Sequence, residues 1–359
     1  MPAGRKSVDS ALRPAAVPGE YLALLCSPRT RRALRVAHGH LESPDGKERY
    51  AISASGIPRF SAELVSDAGR AQQSRYDGMV AKYVENLGYP HTEEYTAYLD
   101  RQLLGVLPAG SLGTVAELCC GRGEAARLLG ERMSRYLGID VAAGMLEIAR
   151  RDLPGDRFFF AQGDATMLPL RDRAVDNVVM LGGVHHVPDR VGLFREVARI
   201  LKPGGRFYFR EPLDDFALWR SIRKVVYRIS SALDHDVERP LRRGETTSDL
   251  ARAGLVLRDW QTLGFFGFCL LMNSDVLVFN RLFRYIPGIR TLTRAACRID
   301  HWTTGLRGLR HAGLQVIGVA EHADQAGGAD TGANRSDAGT RSGASPDCTI
   351  WQEPERMPT

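Results

Sequence analysis

Lysine is scarce in this chain, so its basic character is carried almost wholly by arginine, and the arginines are scattered rather than gathered into runs. The net charge of +6 could favour acidic ligands, membrane headgroups or nucleic acid, but scattered arginines of this kind read as solvated surface. The six cysteines show no paired spacing of the type that holds a metal, and two of them, Cys119 and Cys120, are adjacent. That usage points to reduced thiols in a cytoplasmic protein rather than a disulfide framework. No run near the start joins a basic stretch to a long apolar core, so no signal leader is expected. The longest apolar stretch, Phe265 to Ile286, is interrupted by Asn273, Asp275, Asn280, Arg281 and Arg284, too often for a spanning helix. What the chain does have is length: 359 residues, 44% hydrophobic and 25% charged, enough to bury one large core with additions.

That core is organised around Val115 to Gly123, VAELCCGRG. Val115, Ala116 and Leu118 form the body of a short buried strand, with Glu117 near its carboxyl end, where an open parallel sheet binds ligands. Cys119, Gly121 and Gly123 give small residues at alternate positions, which lets a ligand approach the backbone, and a helix beginning near Glu124 turns its free N–H groups toward it. Downstream, SRYLGID predicts a second strand ending at Asp140, RFFFAQGD a third ending at Asp164, RAVDNVVML a fourth and RFYFREP a fifth. Helical patterns fall between them, at VAAGMLEIARRD and at DRVGLFREVARILKPGG with its Pro-Gly-Gly stop. This alternation calls for a doubly wound, mostly parallel α/β sheet. Two further strands, VLRDWQTL and Gln315 to Ala320, complete seven.

Gly121-x-Gly123-x-x-Ala126 also fits a dinucleotide fingerprint. Glu117 beside the turn argues against a pyrophosphate, which a carboxylate would repel. Acids at Glu117, Asp140 and Asp164 suit a cationic ligand with an ammonium, ribose hydroxyls and an exocyclic amine.

The stretch from about Tyr76 to Pro212 resembles the class I S-adenosylmethionine-dependent methyltransferases, in the branch of the ubiquinone/menaquinone and natural-product enzymes. ELCCGRG matches that family's ExGxGxG motif, GIDVAAGMLEIAR its second motif, GDATMLPLRDRAVDNVV its adenine segment, and REVARILKPGGRFYF the region after the fourth strand. The resemblance implies a Rossmann-like fold with S-adenosylmethionine as cofactor. It assigns Glu117, Cys119, Gly121 and Gly123 to the turn holding the methionine portion, Asp140 to the ribose, Met145, Asp164 and Ala165 to the adenine, and Tyr76 with Asp77 to a cover over the cofactor. Cys119 stands where the family commonly has glycine; an ordinary negative φ is expected there, since a side chain at positive φ costs about 1–2 kcal/mol.

The resemblance also implies the acceptor class. Methyltransferases acting on amino groups of bases or glutamine show Asn or Asp, Pro, Pro, aromatic after the fourth strand, whereas this chain has Leu181-Gly182-Gly183-Val184. An oxygen or carbon acceptor is therefore expected, an aromatic or prenylated small molecule, with His185 or His186 as candidate base. The alternatives left open are a non-catalytic cofactor-binding scaffold and an RNA methyltransferase. No nucleic acid and no metal are expected; a peripheral membrane contact and a homodimer remain open.

Domain expectations follow. Residues 1–18 and 323–359 are compositionally disordered. Residues 19–62, with LALLCSPRTRRALRV and RYAISASGIPRF, resemble a zinc-ribbon module of the kind that activates or precedes some methyltransferases. Only Cys26 of its two cysteine pairs remains, which leaves a metal-free relic. The methyltransferase domain is expected over 66–322, with helical lid elements at about 213–245 and 263–312. These carry Trp219, Tyr227, Phe265, Phe266, Phe268, Met272, Phe279 and Trp302, suited to an apolar acceptor, though a subsidiary core or dimer surface would use the same residues.

Overall fold

The structure is a computed structural model that describes residues 17–61, 66–67, 69–70, 85, 87–221, 239–267 and 278–325. After a short helix α1 (Gly19–Leu22) come three brief strands, β1 (Arg35–Ala37), β2 (His40–Glu42) and β3 (Arg49–Ala51), paired antiparallel in that order. Helix α2 (Pro90–Val106) begins on a proline, whose missing N–H costs nothing in the first turn. The alternating part then runs β4 (Gly113–Leu118), α3 (Glu124–Leu129), β5 (Met133–Asp140), α4 (Ala143–Asp152), β6 (Phe158–Gln162), β7 (Val175–Leu181), α5 (Arg190–Ile200) and β8 (Leu201–Pro212). It closes with α6 (Arg243–Arg252), β9 (Leu255–Leu263), α7 (Ile289–Gly305) and β10 (Gln315–His322). The Pro-Gly-Gly expected to stop a helix lies inside β8 instead, because α5 already ends at Ile200.

The main sheet has seven strands in the order β6-β5-β4-β7-β8-β10-β9. Strands β4 to β8 pair in parallel, and β10 is inserted antiparallel between β8 and β9. The order reverses at β4, which has β5 on one side and β7 on the other, so a crevice opens beyond their carboxyl ends. Strand β4 is buried along nearly its whole length, as a strand covered by helices on both faces must be. Among the described residues no helix is long and apolar enough to cross a membrane.

The N-terminal residues share the core of this sheet. Tyr21, Leu25, Leu41, Tyr50 and Phe60 pack in one apolar cluster with Leu118, Ile139 and Phe194. Arg59 pairs in parallel with Gln162, and the Phe60 N–H donates to the Gln162 carbonyl at 2.8 Å, so the chain meets the outer edge of β6 at its last residue. Arg31 donates to Glu196 at 2.8 Å, and Glu196 also receives Arg199 and the Leu168 N–H. Cys26 is fully buried in this region.

Helix α7, expected in the lid, lies against α2. It buries Ile289, Thr293, Cys297 and Asp300, and its Arg290 and Arg294 pair with Glu93 and Glu94 at 2.6 and 2.9 Å. Asp300 accepts the N–H groups of Phe266 and Gly267 and so anchors the start of the insertion. This is the arrangement of a subsidiary core. Tyr227, Phe268 and Met272 lie outside the described residues.

Between β10 and β8 the Phe209 ring lies directly over Gly318, so that a β-carbon there would sit 2.0 Å from it. Phe209 is fully buried and cannot swing away. Gly318→Ala is accordingly expected to destabilise the fold by about 1–3 kcal/mol through overpacking, read from the midpoint of urea denaturation at unchanged slope.

Candidate active site

Three small residues at alternate positions of the β4–α3 turn have positive φ: Cys119 at 51°, Gly121 at 50° and Gly123 at 78°. The expectation of a negative φ at Cys119 is therefore corrected. Tertiary hydrogen bonds fix the path more strongly than the side chain resists it. The Cys120 N–H donates to the Ile139 carbonyl of β5, the Gly121 N–H to Asp140 Oδ2 at 2.8 Å, and the Gly123 N–H back to the Cys120 carbonyl. Together these outweigh a local cost of about 1–2 kcal/mol.

The turn borders a cavity of about 280 Å³ at the carboxyl ends of β4, β5, β6 and β7. Glu117, Cys119, Gly121, Asp140, Met145, Asp164, Ala165 and His186, all singled out in the sequence, line it together. Gly121 has open space where a side chain would stand. Gly123 does not line the cavity; a β-carbon there would meet Leu153 at 2.7 Å, so this glycine serves the close packing of α3. His185 is also outside the lining, and Tyr76 and Asp77 fall outside the described residues. No described residue of 213–312 lines the cavity.

The acids differ in charge state. Glu117 is almost fully buried, and burial pushes its carboxyl up to about 8, against the opposing pull of the Ala125 N–H at 2.9 Å and the Tyr136 hydroxyl at 2.5 Å. It is mostly protonated at neutral pH, which removes the repulsion from Glu117 on which the case against a pyrophosphate rests. Asp164 is buried too, yet it receives the N–H and hydroxyl of Ser66 at 2.9 and 2.6 Å and those of Thr166 at 2.8 and 2.7 Å. Burial works against ionisation there, but these four donors prevail and hold the carboxyl below its usual range. Asp140 takes the Gly121 N–H on one oxygen and the Ala142 N–H on the other, so it ties down both the glycine turn and the short turn that leads into α4.

Behind the lining, His185 Nδ1 lies 2.8 Å from Glu211 Oε2, and the centres of the His185 and His186 rings are 3.8 Å apart. Glu211 is fully buried and also accepts the N–H groups of Gly183 and Val184 at 2.8 Å. It thereby fixes the loop that brings His186 to the cavity. Sequence reasoning missed Glu211, although an acid two residues after the apolar FYF of β8 occupies the same strand-end position as Glu117. Ser66 was missed as well, and no pattern around it distinguishes it.

Among known families, the one described as a methyltransferase domain matches residues 116–209. A 27-O-demethylrifamycin SV methyltransferase from Amycolatopsis mediterranei is 36% identical over 132 residues, 35% of this chain and 47% of that protein. A demethylmenaquinone methyltransferase from Clavibacter sepedonicus is 33% identical over 151 residues, 40% of this chain and 61% of that protein. A solved S-adenosylmethionine dependent methyltransferase from Mesorhizobium loti superposes with a TM-score of 0.42 at 21% identity, covering 61% of this chain and 95% of that one. The chain spans about half the length of the curated relatives it matches. It carries a methyltransferase domain over residues 116–209, whose matched span holds the glycine turn and every lining acid.

A carboxyl raised to about 8 in the folded state releases its proton earlier on unfolding, so stability falls as pH rises from about 5 to 8 and levels off above that. In Glu117→Gln this contribution vanishes. The difference between the wild-type and variant urea midpoints, measured across that range, is expected to change steadily with pH; a constant difference would show that Glu117 is ionised throughout.

Proposed function

We propose that this protein transfers a methyl group from S-adenosylmethionine to an oxygen or carbon atom of an aromatic or prenylated small molecule. The observation that carries the reading is the convergence of Glu117, Asp140 and Asp164, from the ends of three adjacent strands, on one cavity beside an open glycine. These residues fit the cofactor. The space over Gly121 admits the methionine portion at the backbone, Asp140 is placed for the ribose hydroxyls, and Met145 and Ala165 offer apolar surface to the adenine. All four acceptor sites of Asp164 are already filled, so an adenine amine reaching it would exchange with Ser66.

When bound, S-adenosylmethionine supplies an activated methyl carbon, and the protein's part is to place the acceptor in line with it. For a phenol, hydroxyl or carbon acid a proton must also leave. His186 is the histidine that lines the cavity and the candidate to take it. Glu211 and His185 hold the loop that presents His186. The relatives named for demethylmenaquinone and for 27-O-demethylrifamycin SV support a small-molecule acceptor.

The test is to incubate the protein with isotopically labelled methyl donor and extracts of apolar metabolites, then find the labelled product by mass spectrometry. Label in an oxygen- or carbon-bound methyl group is the expected result, and absence of any labelled product despite cofactor binding would favour a scaffold. Asp140→Ala removes a charge-assisted bond of about 1.5–3 kcal/mol and should weaken cofactor affinity by roughly one to two decades in calorimetry. His186→Ala is expected to lower kcat by at least about a hundredfold while leaving that affinity unchanged; turnover unaltered across pH would remove His186 as the base.

A further inference from the structure

Away from the cavity, exposed apolar side chains gather in one place. Of the eleven large apolar residues left exposed among the described residues, eight lie between Leu282 and Leu309. On α7 they form a stripe, Leu292, Ile299 and Trp302, continued by Leu306, at spacings of seven, three and four that keep them on one face. Trp302 is 67% exposed. The face that packs on α2 is a different one, made of Ile289, Thr293, Cys297 and Asp300. Both faces of this helix are apolar enough to bury, and one of them is uncovered in the described structure.

Charge decides what suits the uncovered face. Between Arg281 and His311 the chain has seven arginines and a single acid, Asp300, which is fully buried. Arg284, Arg290 and Arg294 pair with Glu85, Glu93 and Glu94. Arg298, Arg307 and Arg310 are exposed beside the apolar stripe. A second copy docking here about a twofold axis would bring like-charged faces together with no acid of this segment to pair them. A surface that is apolar inside and anionic outside matches both features.

We propose that α7 and the turn after it lie in the plane of an anionic lipid bilayer, with Ile299, Trp302 and Leu306 in the acyl boundary and Arg298 and Arg307 among the headgroups. The arginines reach outward on long stems while the stripe inserts, which is the geometry of an interfacial amphipathic helix. This surface does not depend on the methyl-transfer reading.

The test is flotation of the full chain with vesicles of phosphatidylcholine alone and of phosphatidylcholine with phosphatidylglycerol, with no methyl donor or acceptor present. Binding to the anionic vesicles is expected, weakened by salt. The double variant Ile299→Ser/Trp302→Ser should reduce it at least roughly tenfold, and Arg298→Gln about fivefold. Both should keep the wild-type melting temperature, because the side chains are exposed. Val36→Ser, at an exposed apolar residue on β1, should bind as wild type. Failure of the folded protein to float with anionic vesicles overturns the proposal, as does equal flotation of the double variant. Concentration-dependent dimerisation abolished by the double variant, without vesicle binding, would overturn it in favour of a second copy. None of these outcomes bears on whether the cavity transfers methyl groups.

Discussion

Where a parallel sheet ends, the backbone N–H groups of the outgoing loops have no neighbouring strand to receive them, and here the carboxyl groups of acidic side chains take that place. Glu117 accepts the Ala125 N–H, Asp140 those of Gly121 and Ala142, Asp164 those of Ser66 and Thr166, and Glu211 those of Gly183 and Val184. Each acid stands at or just beyond the end of β4, β5, β6 or β8. A buried donor left unpaired would cost roughly 1–3 kcal/mol, so the loops around the cavity are held by the same groups that give it its chemistry. Removing any of these acids therefore disturbs shape and electrostatics together.

The strand segments along the chain, the glycine turn and the acids at strand ends were legible in the sequence because each leaves a local trace: an apolar run, small residues at alternate positions, an acid near the end of a strand. The conformation of Cys119 was not legible. Its side-chain cost can be read from one residue, but the bonds from Cys120 and Gly121 to Ile139 and Asp140 join positions about twenty residues away. The charge of Glu117 escaped for a similar reason, since burial is a property of the assembled core. The insertion shows the limit of composition: an aromatic-rich amphipathic stretch looks the same whether it covers a cavity or packs on α2, and only the pairing of Arg290 and Arg294 with Glu93 and Glu94 distinguishes them.

Residues ahead of the matched domain are part of its architecture. Arg31 reaches Glu196, whose other oxygen holds Arg199 and the Leu168 N–H, so the segment around Arg31 is linked to α5 and to the segment that follows Asp164. Leu168 and Leu170 are fully buried in the same cluster as Tyr21 and Leu25. The cavity wall around Ala165 and Thr166 is thus supported from the N-terminal side, a dependence that motif matching over residues 116–209 does not reveal.

The course of Arg59 and Phe60 beside β6 has a further meaning for the sheet as a whole. An open sheet offers two unpaired edges to any extended chain that meets it. At the carboxyl end of β6 the protein's own backbone already takes both main-chain groups of Gln162, its N–H donating to Pro58 and its carbonyl accepting from Phe60. At the far side β9 presents Arg258 and Asp259, and its pairing with β10 shifts register between Val319 and Ala320. Growth by an added strand is shortened at one side by this local occupancy and hindered at the other by charge and a broken repeat, so two different devices act on the two edges of a single sheet.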